Sequence, residues 1–243
     1  MTGDPLEKRP QERTEAAAGA RAVRSRALLP SGLILAGMSL LYAALVVSAP
    51  VDAVQGVIQK ILYVHVPCAF AAYLGFGLTA LFGGLFLWRN DPRFDRVAAA
   101  GAEVGTLFCT LMIVSGPIWA KGTWGHWWVW DPRLTVTLLL WFVYLAYLLL
   151  RSFTEGDERA ARFAAVYGLV GILVVPLNYF AIELFGNAAM HPDNLERDSL
   201  GRGMGLPFLF SVLTALAAFT HLLLLRIDLS KRRASLEENS ADL

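Results

Sequence analysis

Six continuous apolar runs divide this 243-residue chain, at approximately 28–49, 66–88, 98–119, 132–150, 163–185 and 204–225. A bilayer core takes about 20 residues of helix to cross, and each run is of that length. The runs are continuous rather than alternating, so their backbone polar groups must be satisfied within each segment, and helix is the form that does this in lipid. The apolar share of 56% and the mean hydropathy of +0.51 exceed what an ordinary soluble domain carries. The expected fold is therefore an all-α integral membrane protein with six transmembrane helices. Residues 1–27 are charged and read as a disordered cytoplasmic tail. Residues 28–226 form the six-helix membrane domain, and residues 227–243 a second cytoplasmic tail. The first run is too long for the apolar stretch of a cleaved signal peptide and is expected to remain as a span.

Net charge, +1, says little, but the placement of the basic residues says more. Sixteen of the 21 Lys and Arg residues fall in the two tails, in the loop after the second run and in the region after the fourth. The opposite side carries Lys60, Lys121, Arg133, Arg197 and Arg202. The positive-inside tendency places both termini in the cytoplasm and sends the loops 50–65, 120–131 and 186–203 outward. Asp131–Pro132 has the form of a helix start, with Asp as N-cap and Pro at the first helical position. Pro67 and Pro207 lie near the starts of their spans, where a missing N–H costs little. Pro117 and Pro176 lie later and are expected to kink theirs.

The middle outward loop is unlike the others. Residues 119–133 read WAKGTWGHWWVWDPR and hold five of the seven tryptophans: Trp119, Trp124, Trp127, Trp128 and Trp130. Interfacial belts account for one or two tryptophans per loop. Five, followed by Asp131 and Arg133, suit a shelf for a large flat ligand with polar corners. On helical spacing Trp124, Trp127, Trp128 and Asp131 share one face. Asp131 has a purely structural alternative as a helix cap.

Three of the four histidines fall at the same outward level: His65, His126 inside the tryptophan loop, and His191. Neutral imidazole is the usual axial ligand of haem iron, and a porphyrin between His65 and His191 on tryptophan faces is sterically sensible. His221, near the cytoplasmic end of the sixth run, reads as structural. Arg133 suits either a haem propionate or a lipid phosphate, with Lys121 and Arg202 as weaker candidates of the same kind. Glu103 is an ionisable group inside a span, hence either functional or hydrogen-bonded within the bundle. Asn178 and Glu183 lie nearer the outer side. Cys68 and Cys109 read as small buried residues, since CxxC and CxxCH are both missing. The basic residues have no aromatic interleaving, and nothing points to nucleic acid.

The run WGHWWVWDPRLT resembles the tryptophan-rich WWD signature of the haem-handling membrane proteins of cytochrome c maturation. In size, span number and the placing of outer histidines on either side of the signature, the chain is most similar to the CcmC family, from about residue 28 to 226. The resemblance implies non-covalent haem b held at the outer, periplasmic face of the cytoplasmic (inner) membrane and delivered to the periplasmic haem chaperone CcmE. It implies work beside the ABC transporter subunits CcmA and CcmB and the small membrane protein CcmD. It carries the two axial ligands onto His65 and His191, and the motif residues onto Trp124, Trp127, Trp128, Trp130 and Asp131. His126 departs from the pattern, which has a small or hydroxyl residue there, and adds a third possible ligand. The implied role is haem delivery rather than conventional enzymology. The competing readings are an integral b-type cytochrome, which wants facing histidines within the membrane, and a small-molecule permease with an aromatic gate, which wants polar residues along its spans.

Overall fold

A computed structural model describes residues 29–153, 157–185, 191–192 and 200–241. The expected N-terminal tail lies outside these residues, as does most of the third outward loop. Each apolar run is helical, and six segments are long and apolar enough to cross a membrane. Helix α1 spans Leu29–Ser48. A 3₁₀ turn at Val57–Ile61 leads into α2, Leu62–Arg89, which is followed by α3, Pro92–Trp124, and α4, Pro132–Phe153. The fifth run is broken into α5, Glu158–Gly171, α6, Val174–Tyr179, and α7, Ala181–Phe185, before α8, Gly205–Ala241. The C-terminal tail thus begins as a continuation of the sixth helix rather than as a separate segment.

The helix boundaries follow from local chemistry. Asp91 accepts the N–H of Arg93 at 2.8 Å and Pro92 opens α3, so cap and proline act together. At the other end Gly125, with φ 79°, donates its N–H to the Lys121 carbonyl at 3.2 Å and closes α3. Helix resumes only at Pro132. The helical face expected to join Trp124, Trp127, Trp128 and Asp131 is therefore not formed. Residues 125–131 are an irregular connection, stopped by the left-handed glycine on one side and restarted by the Asp–Pro cap on the other.

Pro117 leaves α3 unbroken, whereas Pro176 has the larger effect. A proline has no N–H for the carbonyl four residues back, here that of Ile172. That carbonyl instead accepts the N–H of Val175 at 3.0 Å, a tighter turn, and the helix is interrupted at Ile172–Leu173.

Helices α2 and α3 form the spine. They run antiparallel and keep one register over their whole length: Phe82 meets Phe94, the Thr79 hydroxyl donates to the Ala98 carbonyl at 3.2 Å, Gly75 meets Gly101 and Gly105, and His65 meets Ser115. A Cβ on Gly75 would lie 2.6 Å from the Gly105 Cα, so the backbones touch. Without a hydrophobic effect between helices in lipid, such small-residue contact is what drives association. Ala160, Ala164, Ala165 and Gly168 form a similar buried stripe on α5, with Ala165 against Gly83 of α2. Aromatic rings fill the middle of the bundle. Phe76 stacks on Tyr144 with 3.6 Å between centroids, and Phe108 packs against Phe219 of α8.

Charged groups inside the bundle pair at the end remote from the tryptophan loop. Arg151 donates to both oxygens of Asp95 at 2.6 and 2.8 Å. Glu103 pairs with Arg226 of α8, Nη2 to Oε1 at 2.8 Å, which is the within-bundle alternative for this residue. Helix α1 stands largely exposed. It is held by Tyr42 to the Tyr63 carbonyl (3.3 Å), by Lys60 to the Val47 carbonyl (2.8 Å) and by Ser31 to His221 (3.0 Å).

Candidate functional site

The start of α2, the end of α3, the 125–131 connection, the start of α4 and His191–Pro192 all meet at one end of the bundle. His65 lies in the first turn of α2. Its Nδ1 is 3.0 Å from the Ser115 hydroxyl, and its ring meets the Trp119 indole edge-on at 5.8 Å and 77°. The Trp119 N–H donates to the Gln55 side-chain carbonyl at 2.7 Å, so Trp119 is a wall fixed in place.

Asp131 ties the tryptophan loop to the second histidine. It is buried, 3% exposed, in a place where an unpaired carboxylate would be costly. Oδ1 accepts the N–H groups of Arg133 at 2.7 Å and Leu134 at 3.2 Å, which is the expected cap of α4. Oδ2 accepts the backbone N–H of His191 at 3.1 Å. One carboxylate thus ends the loop, starts the helix and clips the chain at His191 beside them.

The His191 ring is oriented by its own neighbour, with Nδ1 2.8 Å from the Pro192 carbonyl. A carbonyl only accepts, so Nδ1 carries the proton and Nε2 keeps its lone pair. Burial pushes this imidazole below its ordinary pKa. The Pro192 carbonyl opposes that shift, Arg133 reinforces it and Asp131 opposes it. The net direction favours the neutral, ligating form. His65 and His191 are near enough for their charges to interact, and Arg133 is within electrostatic reach of both.

Of the tryptophans, Trp127 and Trp130 are exposed, while Trp124 and Trp128 are half-buried. Trp128 and Trp130 meet edge to face at 5.8 Å, with the Trp128 indole N–H buried and unpaired. His126 is exposed on the same connection. Lys121 donates to the Gly125 carbonyl at 2.8 Å, which fastens the α3 terminus, and Arg202 is exposed.

Behind Arg133 lies a buried polar cluster. Asn178 of α6 donates to the Arg133 carbonyl at 3.1 Å and to the Thr137 hydroxyl at 2.7 Å, and it accepts from the Tyr73 hydroxyl. Asn178 therefore joins the site as a brace that pins the broken fifth helix to α4. Glu183 is exposed on α7. His221 bonds Ser31 at the far end of the bundle, away from the other three histidines.

Sequence reasoning passed over Ser115, Gln55, Tyr73 and Thr137. Ser115 left a signal, since it is a hydroxyl inside an apolar run one helical turn before Trp119. Gln55 left none, because its role depends on a turn whose course is set by tertiary contacts.

The donor set fits haem. It combines imidazole nitrogens from two separate segments, exposed and half-exposed indole surface, and a guanidinium within electrostatic reach of both imidazoles. Fold and site together define a multi-pass helical membrane protein with a histidine-flanked tryptophan loop at one end.

The "Heme exporter protein C" family model matches residues 14–241. The chain is 33% identical over 213 residues to Heme exporter protein C of Bradyrhizobium diazoefficiens, covering 85% of this chain and 79% of the relative. It is 30% identical over 182 residues to the Escherichia coli K12 protein of that name, covering 74% and 73%. It is 32% identical over 195 residues to a putative ccmC-like mitochondrial protein of cytochrome c biosynthesis from Arabidopsis thaliana, covering 80% and 72%. The chain belongs to the haem exporter protein C family of cytochrome c biogenesis.

Proposed function

We propose that this protein holds haem as cargo at the outer face of the cytoplasmic membrane and presents it to the periplasmic chaperone CcmE. His65 and His191 are the axial ligands. Trp124, Trp127, Trp128 and Trp130 cover the porphyrin, and Arg133 pairs with a propionate. Trp119 and Asp131 act through their neighbours, the first as a wall for His65 and the second as the clip for His191. CcmA, CcmB and CcmD are the membrane partners of this reading, and lipid surrounds the six spans.

The observation that carries it is the Asp131 carboxylate, which joins the end of the tryptophan loop to the backbone of His191. That bond gives the loop and the second histidine one shared geometry. Haem supplies the iron and the reactive ring edge. The protein positions it and leaves one porphyrin edge open toward the outer side.

The test is an optical spectrum of the detergent-purified protein beside His65→Ala and His191→Ala. The parent should show six-coordinate haem, and both variants should show altered ligation or lose the haem. A change in one variant alone would move the second ligand to His126, to be checked with His126→Ala. A parent that binds no haem, even with haem and chaperone supplied, would end the platform reading.

A further inference from the structure

We infer that Ser115 is a positioning residue for His65, deciding which ring nitrogen is presented to haem iron; this rests on the haem reading above. A serine hydroxyl has one proton. The Ser115 oxygen lies 2.7 Å from the Leu111 carbonyl and 3.1 Å from the Met112 carbonyl of its own helix, and both of these groups only accept. The proton is therefore directed into the α3 backbone. The lone pair is left facing His65 Nδ1 at 3.0 Å, and that nitrogen must supply the hydrogen. Nδ1–H leaves the lone pair on Nε2, the same tautomer that the Pro192 carbonyl imposes on His191.

The surrounding turn of α3 is shaped for this contact. A Cβ on Gly116 would stand 3.2 Å from His65 Cε1, so a larger residue there would crowd the ring. Trp119, one turn later and anchored by Gln55, meets the ring edge-on. The segment Ser115–Gly116–Pro117–Ile118–Trp119 thus provides an acceptor, a gap and a wall within five residues. An acceptor on the remote N–H of a ligating imidazole fixes its orientation and raises its donor strength. Ser115 does not touch the iron and acts only through His65.

Threonine keeps the oxygen at position 115, and valine has nearly the same shape without it. The experiment uses the full-length detergent-purified protein as parent, Ser115→Thr, Ser115→Val and Ser115→Ala. Hemin is titrated into each, and the Fe(III)/Fe(II) potential is measured by spectroelectrochemistry. Alanine favours helix at this position, so that variant controls for folding.

Parent and Ser115→Thr should agree. Ser115→Val and Ser115→Ala should bind hemin about 10- to 100-fold more weakly, at a higher potential, because a weaker donor stabilises ferric iron less. Equal affinity and potential in the threonine and valine variants would overturn the assignment while leaving the platform intact. A parent without haem would overturn the platform reading, and the assignment with it.

Discussion

Asp131 serves two structures at once, and its two oxygens can be separated by substitution. Asn at this position keeps an oxygen for the α4 cap but replaces the other with an amide that donates, so it faces the His191 N–H with the wrong polarity. Asp131→Asn should therefore retain the parent's thermal midpoint while weakening hemin binding. Asp131→Ala loses the cap as well, at about 1 kcal/mol, and should lower both. Thermal unfolding and hemin titration on the two variants check this. Equal hemin affinity in parent and Asp131→Asn would mean the His191 clip has no role in binding. The cap was legible from Asp–Pro alone, because capping is a property of three or four adjacent residues. The clip was not, because its partner lies 60 positions away in sequence.

Among the helices, α2 and α3 bear most on the site, since their register decides what His65 meets. That register is held where Gly75 touches Gly101 and Gly105, and a side chain there must displace backbone. Gly75→Val should cost about 3 kcal/mol by overpacking and separate His65 from Ser115. It should show as a lower thermal midpoint together with weaker hemin binding. Gly77→Val is the control on the same helix, because a Cβ there meets nothing within 4 Å. At the other end of α3, Glu103 and Arg226 should be coupled by roughly 1 kcal/mol in a double-mutant cycle of Glu103→Ala and Arg226→Ala. Unfolding midpoints in detergent would give that value, and additive effects would show that the pair contributes nothing. The sequence marked Glu103 as an ionisable residue in a span, but it left open whether a ligand or Arg226 satisfies it.

Among the described residues, Arg93, Arg96, Arg151, Arg162 and Arg226 lie toward the end of the bundle remote from the tryptophan loop, the end that the positive-inside tendency predicts to be cytoplasmic. A directional test follows from two exposed positions. In a background with Cys68 and Cys109 replaced by Ala, Val51→Cys should react with a membrane-impermeant maleimide in intact spheroplasts. Arg93→Cys should react only after permeabilisation. The reverse pattern would turn the tryptophan loop inward and end the outer-face assignment.

The six spans and the tryptophan loop were readable because lipid imposes a length and a polarity that act locally along the chain. The break in the fifth span was only half readable: Pro176 marks it, but the interruption falls four residues earlier, at the carbonyl whose usual helical donor the proline removes. The supposed helical face of tryptophans was misread, because helical spacing says nothing about where Gly125 adopts a left-handed conformation. The oxygen that faces His65, the carboxylate that holds His191 and the brace at Asn178 all come from packing between distant segments. Hydrogen bonds of that kind depend on angstrom-level approach between helices, and small residues such as Gly75 permit that approach without naming the partner.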